Sequence, residues 1–383
     1  MKYIPLVQVC DFQGGSQPPK DQWIDYEKEG YIRMLQIRDF TQPDKDNVEF
    51  VRISKTIKTC NEDDILIGRY GASVGKILTG LAGAYNVAII KTIPDTSKLS
   101  KRFLYHYLNS PYFQNFILSV GSRAAQAGFN KDDLSDALIP DLSLEEQSNI
   151  VLQLDKVTEL IALRKEQLAK LDRLVKSRFI ELFGDPVTNE KNWARLTLGD
   201  ICEIGSSKRV FEKDYVPKGV PFFRTKEIVE LSKGNPISTE LFITEEHFEE
   251  LRKIYGAPKK DDLLVSAVGT IGTIWIVSGD FEFYFKDGNL IQIKSSPNFN
   301  SIFMKYLLDE LIANYKKEMS TGTAYSALTI AGLKKMLVYD VPLFLQKQFS
   351  AFAEQTDKSK LAIQQSLDKL ETLKKSLMQE YFG

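Results

Sequence analysis

The chain carries one pattern twice. Leu168-Ala169-Lys170-Leu171-Asp172-Arg173-Leu174-Val175-Lys176-Ser177 runs on to Phe183-Gly184, and Leu367-Asp368-Lys369-Leu370-Glu371-Thr372-Leu373-Lys374-Lys375-Ser376 runs on to Phe382-Gly383. Each copy is a helical stretch closing on Phe-Gly, and each follows a longer segment with the composition of a globule. A globule–helix–globule–helix order confines the fold to an internal pseudo-two-fold. Such a repeat suits a bipartite target better than a single small-molecule pocket.

The repeat extends into the globules. Leu6-Val7-Gln8-Val9-Cys10-Asp11-Phe12 corresponds to Leu198-Gly199-Asp200-Ile201-Cys202-Glu203-Ile204, and Leu35-Gln36-Ile37-Arg38-Asp39-Phe40 to Phe223-Arg224-Thr225-Lys226-Glu227-Ile228. Asp63-Asp64-Ile65-Leu66-Ile67 corresponds to Asp261-Asp262-Leu263-Leu264-Val265. The last pair reads as a turn feeding a buried strand. It leads to Gly71 and Gly75 in one copy and to Gly269 and Gly272 in the other. Asn130 and Thr329 are expected N-caps, since their side-chain oxygens can accept a free N–H of a helical first turn. Strands interspersed with helices, at Arg102–Leu108 and Ile302–Tyr315, make each globule mixed α and β.

Between Ile150 and Leu182 the apolar residues Leu154, Ile161, Leu168, Val175 and Leu182 recur every seventh position, with Leu171 on the companion row. This is coiled-coil spacing. Ile363, Leu370 and Leu377, with Leu367 beside them, keep a less regular row in the second copy, which Lys360 and Lys374 break. Each stripe outruns a mean globular helix of about 11–12 residues and so needs a long partner. The other helix, running antiparallel, is the expected one. A helix of roughly 35–40 residues is about 50–60 Å long, enough to act as a ruler between DNA half-sites about 34–36 Å apart.

Composition excludes more than it proposes. Lys and Arg number 50 against 51 Asp and Glu, a formal charge of -1, so there is no global basic signature. Three cysteines (Cys10, Cys60, Cys202) do not make a disulfide framework and fit a cytoplasmic, reducing setting. His106 and His247 have no neighbours at metal spacing, so no metal site is expected. No apolar run approaches membrane-spanning length, and Met1-Lys2-Tyr3-Ile4-Pro5 lacks a signal-peptide core. Gly71-Ala72-Ser73-Val74-Gly75-Lys76-Ile77 fails as a phosphate loop, because Tyr70 stands where the first glycine belongs and Ile77 where a hydroxyl should bind magnesium. Neither a methyltransferase cofactor loop nor a Ser-His-Asp arrangement is visible, and no catalytic residues are expected.

The ordered combination of these segments, above all Leu171-Asp172-Arg173-Leu174 through Phe183-Gly184-Asp185-Pro186 and its C-terminal copy, resembles the specificity (S) subunit of type I restriction-modification systems over essentially the whole chain. The resemblance implies an α+β chain with two mixed α/β target-recognition domains separated by two long antiparallel coiled-coil helices. Domain 1 is expected at 1–142, the central spacer at 143–188, domain 2 at 189–342 and the C-terminal spacer at 343–383. It implies no catalysis by this chain. The expected partners are double-stranded DNA, two modification (methyltransferase) subunits carrying S-adenosylmethionine, and a restriction (translocase/nuclease) subunit using ATP and magnesium. No cofactor would be bound by the chain itself. A specificity subunit of a fused system outside type I, or a coiled-coil assembly scaffold without DNA binding, are the alternative readings.

Base-edge and phosphate contacts call for Arg, Lys, Gln and hydroxyl side chains near turns. In the first domain the candidates are Gln36, Arg38, Arg69, Tyr70, Ser73, Lys76, Arg123 and Gln126. In the second they are Arg224, Lys226, Ser266, Thr270, Thr323, Tyr325 and Ser326. The spacer seam is assigned to Leu154, Ile161, Leu168, Leu171, Val175, Ile363, Leu367, Leu370 and Leu377.

Overall fold

The computed structural model describes residues 2–42, 48–121, 128–238, 241–279, 281–320 and 327–383. They form two units. Unit 1 comprises Met1–Glu166 with Gln364–Gly383, and unit 2 comprises Gln167–Ile363. Each therefore contains one globule, half of the central helix Leu144–Phe183 and half of the C-terminal helix Leu343–Phe382.

The two globules are built on one plan. Unit 1 has a four-stranded antiparallel sheet in the order Cys10–Gly14, Ile89–Pro94, Leu66–Gly68, Ile77–Leu78. Unit 2 repeats it as Ile204–Gly205, Leu290–Ile293, Leu263–Ser266, Ile274–Ile276. The Asp-Asp-apolar runs of the sequence enter the same strand in both copies. The run continues without alternation because both faces of that strand are buried: Leu66, Ile67, Leu264 and Val265 are all inaccessible. A two-stranded ribbon closes each globule, Tyr3–Pro5 with Leu138–Pro140 and Arg195–Thr197 with Leu337–Tyr339. A third sheet carries a parallel pair in both, Met34-Leu35 beside Ala84-Tyr85 and Phe222-Phe223 beside Tyr284-Phe285. This sheet has five strands in unit 1 and three in unit 2.

The long-helix ends are set by local chemistry. Ser143 and Glu146 form a reciprocal capping box at the start of the central helix, with Ser143 N–H donating to Glu146 Oε2 (2.8 Å) and Glu146 N–H to Ser143 Oγ (3.3 Å). Gly184, at φ 77°, ends it and donates its N–H to Ile180 O. Asn130 accepts the N–H groups of Asp132 and Asp133, and Thr329 that of Gly332, as their capping role requires. The helix after Ser100 stops at Leu108 and restarts at Pro111, whereas its counterpart runs unbroken from Ser301 to Ser320. Proline cannot continue a helix, because it lacks the N–H and its ring clashes with the preceding turn.

In unit 1 the early residues Ile150 and Leu154 of the central helix share a core with Met378 and Phe382, the last residues of the C-terminal helix. In unit 2 the late residues Val175, Phe179 and Phe183 share a core with Phe349 and Ala353, which are early in the C-terminal helix. Low numbers meet high numbers in both units, so the helices pair antiparallel. Leu154, Val175 and Leu367 are buried, and Ile161, Leu168, Leu171, Ile363, Leu370 and Leu377 are half-buried. Leu182, the last residue of the seven-residue row, is half-buried like Ile161 and Leu168 and packs against the unit 2 core. After Val175 the buried residues are Phe179 and Phe183, a four-residue step. That step is the period of a helix entering a globular core rather than a coiled-coil seam. Lys360, which interrupts the row, reaches Asp172 (2.7 Å) and Asp357 (3.0 Å).

Unit 1 also holds a polar tie between globule and helix. Arg102 donates to both oxygens of Asp155 (2.9 and 3.0 Å), and His106 Nε2 lies 2.6 Å from Asp155 Oδ1. Burial holds the His106 imidazole below its ordinary 6.5, outweighing the upward pull of Asp155. For Asp155, burial pushes upward, but hydrogen bonds from Arg102 and His106 outweigh it and leave the carboxyl below its ordinary 3.8. Both groups thus bind protons more readily in the unfolded chain, so acid favours unfolding. The His106 contribution is complete above about pH 6.5 and is lost as pH falls toward the lower folded value. That of Asp155 follows below about pH 4. Calorimetry from about pH 7 to pH 5 should show the melting temperature of unit 1 falling, with a shallower fall in His106→Gln. Equal slopes would refute the assignment.

Candidate nucleic-acid interface

Three backbone segments meet along one edge of each globule. The first is the junction between the parallel-paired strand and a short helix. Tyr31–Leu35 ends at Gln36, the N-cap of Ile37–Thr41, and Val220–Phe223 ends at Arg224, the N-cap of Thr225–Ser232. In each, the acid three residues on accepts the N-cap backbone N–H: Asp39 from Gln36 (2.7 Å) and Glu227 from Arg224 (2.8 Å). The second segment follows the neighbouring parallel strand. Asn86 N–H donates to Leu35 O (3.2 Å) and Lys286 N–H to Phe223 O (2.9 Å). The third is the glycine turn, where Arg69 N–H donates to Ala88 O and Ala267 N–H to Asn289 O. Gly75 and Gly272 lie at positive φ, and a Cβ there would come within 2.7 Å of Ile117 Cγ2 and 2.5 Å of Ile312 Cγ2. Glycine is therefore required at matching points by both conformation and space.

The side chains on this shared frame differ. In unit 1, Glu49 accepts hydrogen bonds from Lys20 (2.7 Å), Gln36 Nε2 (2.6 Å) and Arg38. Burial pushes the Glu49 carboxyl upward, but the bonds from Lys20 and Gln36 and the charges of Lys20 and Arg38 outweigh it, so it lies below its ordinary value. Arg69 donates through Nε to Phe129 O (3.2 Å) and sits over the Tyr70 ring. Tyr70 is exposed and bridges to Gly128. Lys76 is exposed, and Ser73 is half-buried with its hydroxyl donating to Tyr70 O (2.6 Å).

In unit 2, Arg224 donates through Nη2 to Glu227 Oε1 (2.9 Å) and more weakly through Nε to Oε2 (3.4 Å). Burial pushes the nearly inaccessible Glu227 carboxyl upward, and the Arg224 bonds more than reverse it. Lys226 follows on the same helix, and Thr270 is exposed in the glycine turn. Ser266 is different. It is fully buried, its hydroxyl donating to Thr270 O and accepting Thr273 N–H (2.9 Å). It braces the turn and presents no surface, because its strand is covered on both faces. Arg123, Gln126, Thr323, Tyr325 and Ser326 lie outside the described residues.

The sequence reading passed over several members of this edge. They are Glu49, Asn86 and exposed Val87 in unit 1, and Lys286 and Asp287 in unit 2, where Asp287 accepts from Arg209 Nε (3.0 Å). Glu49 precedes a strand, and Asn86, Val87, Lys286 and Asp287 follow one; only the strand pairing reveals that they share this edge.

Among the described residues no three His, Cys, Asp or Glu converge as metal ligands, and no helix is long and apolar enough to cross a membrane. All three cysteines are buried. Burial raises the Cys10 thiol to about 12 and that of Cys202 to about 11, so neither supplies a thiolate near neutrality.

The chain belongs to the type I restriction modification DNA specificity domain family, whose profile matches residues 1–173 and again 190–374. A type I restriction enzyme specificity subunit of Haemophilus influenzae is 28% identical over 302 residues, 76% of this chain and 74% of that protein. The MjaVIII specificity subunit of Methanocaldococcus jannaschii is 25% identical over 54% of this chain and 48% of its own length. Two solved structures share the fold over 100% of this chain, each with a TM-score of 0.59. One is the type I restriction-modification S subunit of M. genitalium, at 15% identity and 96% of its length. The other comes from a study of complex assembly and conformational transition of the type I R-M system, at 18% identity and 97% of its length.

Proposed function

We infer that this chain is the DNA-reading subunit of a type I restriction-modification complex, with each unit reading one half of a split target. It performs no catalysis. Two modification subunits bring S-adenosylmethionine, and a restriction subunit brings ATP and magnesium. The observation that carries this reading is the duplicated edge: one backbone frame, built twice, with Gln36, Arg38 and Arg69 on one copy where Arg224, Lys226 and Ala267 stand on the other. A catalytic repeat would be expected to keep its chemistry in both copies. A reading repeat keeps the frame and varies the donors and acceptors that meet base edges.

Methylome sequencing of cells expressing the chain with its partner subunits tests this. The expected result is a new methylated motif in two separated parts. A single contiguous motif, or no new motif, counts against the reading. The near-neutral charge predicts a second outcome. Alone, the chain should hold DNA weakly, and the assembled complex should hold it with a salt dependence that reflects phosphate contacts supplied by the partners. Tight specific binding by the chain alone would contradict that division of labour. Complexes that hold DNA equally well with and without this chain would favour the scaffold reading.

A further inference from the structure

Resting on that reading, we propose that Gln36 and Arg224 are equivalent base-reading residues, Gln36 selecting an A·T pair in one half-site and Arg224 a G·C pair in the other. Glu49 and Glu227 are the positioning residues that hold them. Both readers occupy the single residue between a parallel-paired strand and a short helix, and the backbone N–H of each is held by the acid three residues on. The strand before each accepts the N–H that begins the next segment of the edge, from Asn86 in unit 1 and Lys286 in unit 2.

The tethers make these side chains selective. A carboxylate only accepts hydrogen bonds, so the 2.6 Å contact from Gln36 to Glu49 fixes which end of the amide is the nitrogen. The amide then offers a second N–H and a carbonyl oxygen, the pair that adenine N7 and N6 require in the major groove. Arg224 has donors only, five N–H in all, and Glu227 accepts from its Nε and Nη2. Guanine O6 and N7 are both acceptors. Holding either side chain before DNA arrives also removes part of the ordering cost of binding. The two copies therefore keep the device, a tethered residue at a strand end, and exchange its hydrogen-bonding pattern.

The test is a swap read by methylome sequencing of the assembled complex. A wild-type motif that is not bipartite refutes the functional reading itself. Given a bipartite motif, Arg224→Gln should change one G·C pair to A·T, or make it degenerate, in one half-site and leave the other half intact. Gln36→Arg should do the converse at one A·T pair of the other half. A swap that abolishes methylation is resolved by competition binding of the purified complex to duplexes substituted one pair at a time. There Gln36→Ala should lower discrimination at a single A·T pair roughly 5- to 150-fold and preserve it elsewhere. Glu49→Gln should weaken discrimination at that same pair, whereas a merely structural role would weaken binding to every duplex alike. Unchanged motifs in both swaps, loss spread evenly over both half-sites, or a Gln36-dependent pair that is not A·T would overturn the proposal.

Discussion

Phe183→Ala is expected to destabilise unit 2 by about 3–5 kcal/mol, the cost of removing a buried aromatic ring from a core that cannot fully collapse. The Phe183 ring is inaccessible. It stands 4.8 Å from Phe303, 5.0 Å from Phe179 and 5.7 Å from Phe349, centroid to centroid. These neighbours come from the globule and from both long helices, so the cavity would open where all three meet. Trp193 is the natural reporter, since its Nε1–H donates to Phe183 O (2.9 Å). Urea titration followed by tryptophan fluorescence should show a lowered midpoint, with a much smaller change for Leu182→Ala next to it. Phe382, which packs against Phe103 (5.3 Å) and Tyr107 (5.9 Å), should behave likewise for unit 1. A midpoint that does not move in Phe183→Ala would mean that the helix end is not anchored there.

Asp262→Ala should cost about 2–4 kcal/mol, mostly through donors left without an acceptor. The carboxylate is almost inaccessible and accepts from Gln292 Nε2 (2.6 Å), Ser295 N–H (2.8 Å) and Lys259 N–H (2.9 Å). It closes the turn before its strand and grips the neighbouring strand at once. Asp262→Asn keeps the shape and part of the accepting capacity and should cost less. In unit 1 the equivalent Asp64 grips Lys91 (3.3 Å) and Lys101 (3.0 Å) and accepts Asn61 N–H (3.0 Å). Burial pushes the Asp64 carboxyl upward, and these bonds more than reverse it. Asp64→Ala should therefore lose ion pairs as well as turn closure, and its effect should grow at low salt. Thermal melts of the three variants at two ionic strengths would distinguish the cases. Asp262→Ala melting as the wild type does would show that water replaces the carboxylate.

The Asp-Asp-apolar repeat, the glycines and the long helices were legible in the sequence for a shared reason. Each depends on residues a few positions apart, whose spacing is itself the structural period. The helix ends were less so: the step from Val175 to Phe179 and Phe183 is clear once the globule is known to receive it. Glu49 could not be found that way. It lies 13 residues from Gln36, and nothing in its local pattern marks it as a clamp. Glu227 was within reach, as the N3 acid of a capped helix, yet its grip on the Arg224 side chain needs the burial that only packing supplies. Ser266 and Thr270 look alike as turn hydroxyls, but the strand end between them hides one and exposes the other.

By itself, the sequence determined that two similar modules alternate with two long apolar-striped helices, because duplication and helical periodicity are written in local spacing. Only the tertiary structure decided which side chains share an edge. That edge joins strand ends far apart in the chain, Leu35 to Asn86 and Phe223 to Lys286, through backbone hydrogen bonds whose partners no local preference selects.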